Sequence, residues 1–353
     1  MYKNTINKEL KGYFKILCKD YDYWMDYLED YINTPVMQYL KNVDVSCGKK
    51  YSKMFEIGEI NTLDHSIGVA LIIANFTNDK KQVLSGLYHD VASRPFKHTI
   101  DFLFGDWMKQ EQTEDETKNI IMNDKATMDL LKRDNITIDE ICDYHIYPIA
   151  DNDTPKLSSD RLEYTLANGC FAFNMVSLDD VKAMYNDLVV LKNEDGIDEL
   201  GFKTKSYAEK FVLLSKNTTI SYRDPKTRYT MQFLADVLKI MRDNGYIKIE
   251  NLIGITEDEL VGMIKNCSLV NEDFEKWQNA TDVHLSNEEP KGVYYVHHGS
   301  KVRWVNPLCN SKRIYDISYY ARKCIKENLN YKMDEYVYLD FDLFKDAEKK
   351  LVK

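Results

Sequence analysis

The stretch LSGLYHDVASRPFKH, residues 84–98, places side chains that can bind a metal directly after an apolar run typical of a helix. His89 and Asp90 are neighbours, and His98 follows nine residues after His89. The whole chain has seven histidines in 353 residues, so two in one short stretch need an explanation. Side chains at a helix end can line a pocket without displacing the core. We therefore expect this stretch to end a helix at a functional pocket.

Two further segments place an imidazole or a carboxylate near a helix end. Residues 61–76, NTLDHSIGVALIIANF, begin with helix-capping residues and put His65 in the first turn of an apolar helix. Residues 158–169, SSDRLEYTLANG, put Asp160 in the first turn of another helix. Two imidazoles and two carboxylates suit Fe, Mn, Co, Ni or Zn better than Ca. From these residues alone, a histidine packed in the core remains the alternative for each imidazole.

The segments TLDHSIGV, LYHDVASRPFKH and SSDRLEY resemble, in order and rough spacing, the HD superfamily of metal-dependent phosphohydrolases. More narrowly, they resemble its deoxynucleoside triphosphate triphosphohydrolase branch, whose patterns are roughly RxEHSxGV, HDxGHxPFSH and DxxDY. The likeness covers about residues 35–180 and continues weakly through residues 215–241. It implies a helical bundle and one divalent transition metal ion (Mn, Fe, Zn, Co or Ni). The ligands that it implies are His65, His89, Asp90 and Asp160.

Several residues depart from the family pattern. Thr62 stands where the family has a phosphate-contacting Arg, Ser93 replaces a catalytic His, and Arg94 replaces the Gly after it. A further active-site His of the family corresponds to Asp115 in this chain. Of the family's non-ligand histidines, only His98 is therefore present here. A general acid contributes typically 10²–10⁴-fold to a rate. The family reaction should therefore be crippled unless other residues substitute.

Other cationic and polar residues near the motifs are candidates for the missing roles. We expect Arg94, next to Pro95, to aim its guanidinium at the substrate's phosphates and replace the charge missing at Thr62. The planar fork of Arg suits phosphate oxygens, although an ordinary solvated base is the alternative. The other candidates are His98 and Ser93 for catalysis and Tyr164, Arg161 and Lys97 for substrate binding.

The histidine spacing favours a single metal ion. Binuclear enzymes of this superfamily insert two further histidines between the HD pair and the last Asp. Here only His98 and His145 lie in that interval, and His98 follows the pair too closely. We therefore expect His145 to be packed or partly exposed and not a ligand.

Composition limits the partners and the location. The net charge is −10 and no basic stripe is present, so we do not expect nucleic-acid binding. The seven cysteines are scattered without a Cys-x-x-Cys pair, which favours free thiols in a reducing cytoplasm. The first residues lack the apolar region of a signal peptide, and no apolar run approaches the ~20 residues that span a bilayer. We expect a cytoplasmic protein, without a membrane partner, that forms a homo-oligomer by its family resemblance.

Helix signals dominate the first 280 residues. Capping boxes are predicted at Thr113–Glu116, Ser206–Glu209 and Thr256–Glu259, and N-caps at Ser158, before the segment with Asp160, and at Ser177, before DDVKAMYNDLVVL. Residues 230–241, TMQFLADVLKIM, repeat apolar residues every three or four positions.

The pattern changes near residue 277. VYYVHHGSKVRWVNPL predicts two short strands around Gly299, followed by a helix in ISYYARKCIKENL and a strand in YVYLDF. We therefore predict a mainly α fold. It has a helical HD domain over residues 1–280, with its core at about 35–180, and a smaller α+β region over 281–353.

Three functions remain open from the sequence. The first is a metal-dependent phosphohydrolase that releases triphosphate from a deoxynucleoside triphosphate. The second is a phosphomonoesterase, or another phosphate-ester hydrolase, with a pocket rebuilt from Arg94 and Ser93. The third is a nucleotide-binding or partner-binding module that keeps the metal without turnover. The partner in the enzymatic cases is a small nucleotide or phosphate ester.

Overall fold

The computed structural model describes residues 2, 5–105, 108 and 116–344, and it confirms a mainly α-helical fold. The helices are α1 (Lys8–Leu17), α2 (Tyr21–Ile32), α3 (Pro35–Tyr39), α4 (Thr62–Thr77), α5 (Lys80–Tyr88), α6 (Thr99–Leu103), α7 (Thr117–Asn123), α8 (Lys125–Arg133), α9 (Ser159–Ala167), α10 (Leu178–Asn186), α11 (Lys205–Ser221), α12 (Pro225–Asp243), α13 (Glu257–Lys265), α14 (Asn271–Asn279), α15 (Ile314–Ile317) and α16 (Tyr319–Leu329). The strands are β1 (Leu188–Lys192), β2 (Asp198–Phe202), β3 (His284–Ser286), β4 (Tyr295–Val296), β5 (Leu308–Cys309), β6 (Lys312–Arg313) and β7 (Tyr336–Tyr338).

Helix α4 is the central helix of the bundle. It is apolar on nearly every side and packs against α5 and α9, as a helix without a polar face must. The Asn61 side chain caps it by accepting the Asp64 amide at 2.9 Å, and Asn78 ends it in the left-handed conformation (φ 52°). Across the described ranges, no helix combines the length and the apolarity that crossing a bilayer requires.

Most predicted helix starts are confirmed. Ser158 and Ser177 cap α9 and α10, and Thr256 forms a capping box with Glu259. The box predicted at Ser206 is wrong, because α11 begins at Lys205 and Thr204 occupies its N-cap. The box predicted at Thr113 lies outside the described residues.

Two large hydrophobic cores contain most of the buried apolar side chains of the described residues, and a small third cluster consists of Cys47, Phe102, Met231 and Ala235. The first contains α1–α5, α9–α11 and the later α16. The second surrounds α12, whose predicted apolar face is buried, and adds α13, α14, β4 and β7. Residues beyond 281 contribute to both cores: Val305 and Ile325 pack in the first, and Val296 and Val337 in the second.

Two small sheets depart from the expected positions of the strands. One has the order β1-β2-β5-β6, with β2 and β5 parallel and the outer pairs antiparallel; the other has the order β3-β7-β4 and is antiparallel. The predicted helix in DDVKAMYNDLVVL ends at Asn186, and LVVLK forms β1, where its β-branched residues suit a pleated surface. YVYLDF does form a strand, β7.

The second strand predicted after Gly299 is wrong. Residues 300–307 have no regular structure and precede the two-residue strand β5. Arg313 in β6 connects this part of the chain to β2, because its guanidinium contacts the buried Glu199 carboxylate at 2.6 and 2.9 Å. The division of the chain near residue 281 remains a prediction.

Candidate active site

Three of the four predicted metal ligands meet at one point of the bundle. His65 ends the first turn of α4, His89 is the C-cap of α5, and Asp160 lies in the first turn of α9. Asp160 Oδ1 is 3.2 Å from His65 Nε2 and 3.7 Å from His89 Nε2. Donor atoms about 2.0–2.2 Å from one ion lie roughly 3–4 Å apart. The His-His-Asp cluster can therefore hold a metal ion.

A second layer of hydrogen bonds orients both imidazoles. His65 Nδ1 is 2.5 Å from Glu163 Oε2, and His89 Nδ1 is 2.8 Å from the Gly86 carbonyl oxygen. The carbonyl can only accept, so His89 carries its proton on Nδ1 and turns the Nε2 lone pair toward the cluster. Such outer partners are typical of histidines that bind metals.

Glu163 was not identified from the sequence. Its signal was the spacing, because a residue three positions after Asp160 lies on the same face of a helix. Gly68 of α4 makes room for it, since an added Cβ would lie 2.5 Å from Glu163 Oε1. The HSIGV segment thus supplies both His65 and the gap that lets Glu163 reach it.

Asp90 lies beside the cluster and is bound by a lysine. Its Oδ2 atom is 3.7 Å from His65 Nε2, 3.6 Å from His89 Nε2 and 2.6 Å from Lys97 Nζ. Burial opposes ionisation of Asp90, but Lys97 and the two histidines hold its pKa well below the ordinary value. The carboxylate is therefore charged at neutral pH. The donor atoms that lie within 4.8 Å of one another belong to His65, His89 and Asp160, so Asp90 as the fourth ligand stays a prediction.

The electrostatics of the cluster favour a cation. Burial alone would lower the pKa of His65, yet the carboxylates of Glu163 and Asp160 raise it to about 10. Burial likewise opposes ionisation of Asp160, and the hydrogen bond and charge of His65 outweigh it and lower its pKa. A positive charge is thus stabilised at this point.

The cluster lines a cavity of about 560 Å³, within the usual size range of small-molecule sites. His98 also lines it, and its Nδ1 lies 3.0 Å from Asp101 Oδ2. Burial lowers the pKa of His98, and the charges of Arg303 and Lys97 act in the same direction, whereas Asp101 opposes them. His98 is therefore a neutral imidazole at neutral pH, oriented by a buried carboxylate.

The predicted substrate-binding residues also reach the cavity. Lys97, Arg161 and Tyr164 all line it. Arg161 Nη1 is held by Asp151 Oδ1 at 3.0 Å and Asn152 Oδ1 at 2.9 Å. The Tyr164 and Tyr222 ring centroids are 6.5 Å apart. The lining of the cavity thus includes a guanidinium and two phenol rings.

The structure does not bring Arg94 and Ser93 to the cavity. Arg94 is only 5 % exposed, and its Nη2 contacts both carboxylate oxygens of Glu116, at 2.8 and 2.7 Å. The backbone beyond Pro95 turns through two left-handed residues, Phe96 (φ 65°) and Lys97 (φ 41°). This turn directs Lys97, and not Arg94, toward Asp90.

Several cavity residues were missed in the sequence. Lys49 belongs to the loop before α4, and Lys301, Arg303 and Trp304 belong to the irregular segment 300–307. Nothing in the sequence indicated that segment 300–307 lines a cavity, because its alternation of polar and apolar residues is typical of a strand. His145 lines the cavity too, with Nε2 3.5 Å from Asp151 Oδ2, and it is half-exposed as expected.

Comparison with known sequences gives two relatives. The chain is 24 % identical over 255 residues to the uncharacterized protein YdhJ of Bacillus subtilis, covering 70 % of this chain and 74 % of that one. It is 23 % identical over 271 residues to the uncharacterized protein MG461 of Mycoplasma genitalium, covering 68 % of this chain and 62 % of the relative. No protein-family model matches the chain.

Comparison of folds gives neighbours that cover nearly the whole chain. A hypothetical protein from Aquifex aeolicus aligns with a TM-score of 0.58 and 16 % identity, over 92 % of this chain and 94 % of that one. A phosphohydrolase from Bacteroides thetaiotaomicron aligns with a TM-score of 0.57 and 13 % identity, over 88 % and 94 %. At these identities the likeness establishes a shared fold.

Proposed function

We propose that this protein is an HD-type metal-dependent phosphohydrolase that acts on nucleotides, most like the deoxynucleoside triphosphate triphosphohydrolases. The observation that carries the proposal is the His-His-Asp cluster with its oriented imidazoles, lining a cavity that also contains cationic side chains. The phosphohydrolase from Bacteroides thetaiotaomicron shares the fold and so supports the reaction type.

The four predicted ligands are of the residue types that suit a divalent transition metal. His65, His89, Asp90 and Asp160 would hold one ion, whose chemistry is to lower the pKa of a bound water and to polarise phosphoryl oxygens. Lys97 neutralises part of the carboxylate charge and places an ammonium group beside the site. The identity of the metal among Mn, Fe, Zn, Co and Ni stays open in this proposal.

His98 is the residue proposed to transfer a proton. Asp101 orients its Nδ1, so the neutral ring can accept a proton at Nε2. Arg161 and Tyr164 are proposed to contact the substrate, since a guanidinium and a phenol can both hydrogen-bond phosphate oxygens.

A nucleotide-binding module that keeps the metal without turnover is the second candidate. It is favoured by Thr62, which is fully buried and donates its hydroxyl to the Val43 carbonyl oxygen at 2.9 Å. Thr62 therefore cannot perform the role of the family's arginine. The phosphomonoesterase hypothesis rebuilt on Arg94 and Ser93 has less support, because neither side chain lines the cavity.

The test is product identification. Purified protein is incubated with Mn²⁺ or Fe²⁺ and a panel of deoxynucleoside triphosphates, ribonucleoside triphosphates and monophosphates, and the products are separated by chromatography. Tripolyphosphate is the expected product, and a His89→Ala variant should release none. Orthophosphate would indicate a phosphomonoesterase instead, and thermal stabilisation without any product would indicate the binding module. Size-exclusion chromatography of the same sample tests the expected homo-oligomer.

A further inference from the structure

Lys49 has a fixed position in the wall of the cavity. Cys47 (φ 57°) and Gly48 (φ 82°) turn the backbone through left-handed conformations, and Lys49 then begins a short 3₁₀ turn. An added Cβ at Gly48 would lie 2.6 Å from the Leu234 side chain and 2.9 Å from Phe96. Glycine is therefore required at this position, and the direction of the next residue is set by the backbone.

The Lys49 side chain is buried without a counter-ion. It is 6 % exposed, and its Nζ lies 5.8 Å from the ring centroids of Phe55 and Phe173 and 6.0 Å from that of Tyr222. In the part of the chain that the structure describes, no carboxylate oxygen lies within 4.0 Å of this nitrogen. Burial lowers the pKa of Lys49, and the Cys47 thiol and the more distant carboxylates of Asp44 and Asp224 act weakly in the opposite direction.

Lys50, the next residue, differs from Lys49 because its ammonium group forms ion pairs. Lys50 Nζ is 3.3 Å from Glu257 Oε2 and 3.8 Å from Asp44 Oδ2, so its charge is compensated within the fold. A buried ammonium without such a partner costs free energy. The electrostatic attraction of the aromatic rings compensates only part of this cost. An anionic ligand in the cavity would supply the rest.

Other cations lie near Lys49. Burial raises the pKa of the Cys47 thiol, and the charges of Lys49, Lys97 and Arg303 each act to lower it. All three cationic residues line the same cavity. Lys97 is already paired with Asp90, whereas Lys49 is not within ion-pair distance of the cluster's carboxylates. Lys49 thus provides a positive charge separate from the metal cluster.

We infer that the Lys49 ammonium binds an anionic group of the substrate other than the one at the metal cluster. The substrate then carries at least two anionic groups, as the phosphates of a nucleoside di- or triphosphate provide and the single phosphate of a monophosphate does not. Lys49 would take the role of the charge that Thr62 lacks and that Arg94 does not bring to the cavity. This inference rests on the proposed function.

The first test measures anion binding and needs no turnover. Tripolyphosphate and orthophosphate are titrated by calorimetry into protein from which metal has been removed by chelation and dialysis. Lys49→Met should weaken tripolyphosphate binding by about tenfold or more, and Lys49→Arg by less than about threefold. Lys53→Met is the matched control, because the Lys53 side chain is exposed and its Nζ donates to Asn279 Oδ1 at 2.7 Å. Equal tripolyphosphate affinity of Lys49→Met and the wild type would overturn the inference.

The second test uses the wild type, so it holds even if Lys49→Met fails to fold. The protein is treated briefly with acetic anhydride, with and without tripolyphosphate, and acetylation of Lys49 and Lys53 is measured by peptide mass spectrometry. Tripolyphosphate should protect Lys49 and leave Lys53 unchanged, whereas equal acetylation of Lys49 in both samples contradicts the inference. Failure of the proposed function is seen separately, as absence of product in the chromatographic assay with metal present.

Discussion

At the residue scale, the sequence motifs predicted the residues of the His-His-Asp cluster but not the residues that contact or surround it. His65 and Asp160 were predictable because each follows a helix-capping signal, and His89 because it ends an apolar helix-like run. All three match a family pattern, and the structure brings them together. Glu163 and Lys49 were not identified, because their roles depend on tertiary neighbours. Glu163 reaches His65 only through the gap at Gly68, and Lys49 becomes a cavity residue only when distant aromatic rings surround it.

Arg94 provides a test at this scale. Its Nη2 contacts both carboxylate oxygens of Glu116, which indicates a structural role, so Arg94→Ala should lower the free energy of unfolding by about 1–2 kcal/mol. The value of kcat/KM for the best substrate should change less than about twofold, since Arg94 does not line the cavity. Thermal denaturation and steady-state kinetics check both. A large loss of kcat/KM at an unchanged melting temperature would contradict this prediction and support phosphate binding by Arg94.

At the scale of secondary-structure elements, the helix N-caps were predictable from the sequence, but the irregular structure of segment 300–307 was not. The N-caps Asn61, Ser158 and Ser177 hold because each side chain satisfies a local amide, which is a short-range effect. Segment 300–307 alternates like a strand, but four of its residues line the cavity, and tertiary contact overrides a weak β pattern.

Helix α13 is tied to the loops of the site by its first residue. Glu257 is 1 % exposed, and its Oε1 accepts the backbone amides of Asp44 at 3.1 Å and Phe96 at 3.2 Å. Burial raises the pKa of Glu257 to about 7, although Lys50 opposes the shift. The folded state therefore holds the proton more tightly than the unfolded state does. Its contribution to stability is complete below pH about 4.5 and is lost as the pH rises to about 7.

Glu257→Gln should flatten this dependence. The amide oxygen of Gln can still accept both backbone amides, but the side chain no longer titrates. Between pH about 5 and about 8, the wild type should lose up to roughly 3 kcal/mol more unfolding free energy than the variant does. Urea denaturation at each pH measures this, with the exposed Glu272→Gln as control. Parallel pH profiles of the wild type and Glu257→Gln would show that this carboxyl does not titrate in the window.

At the scale of the whole molecule, the fold class was predictable, but the course of the last third of the chain through the structure was not. Helix content follows from periodicity and caps, so a mainly α protein was expected. The return of β5 to pair with β2, more than 100 residues earlier in the sequence, leaves no local signal. The position of residues such as Arg303 in the cavity therefore cannot be predicted from the local sequence.

Arg313 tests whether the chain unfolds as one unit. Glu199 is fully buried and would lose its bidentate partner in Arg313→Met, so the variant should lose about 3–5 kcal/mol. We expect one thermal transition at a lower temperature, measured by calorimetry. Lys192→Met, which removes an exposed ion pair with Asp198 in the same sheet, should change stability by less than about 1 kcal/mol. Two transitions, of which only one moves, would instead support separate domains.

The metal content of the purified protein tests the central claim most directly. After loading with Mn²⁺ or Fe²⁺ and removal of excess ion, elemental analysis should find about one ion per chain, as a mononuclear site requires. His89→Ala and Asp90→Ala should bind almost none and melt at a lower temperature, because metal binding stabilises the folded state. His297→Ala, at an exposed histidine far along the chain, should keep the full content. A wild-type protein that retains no metal after loading would contradict the account.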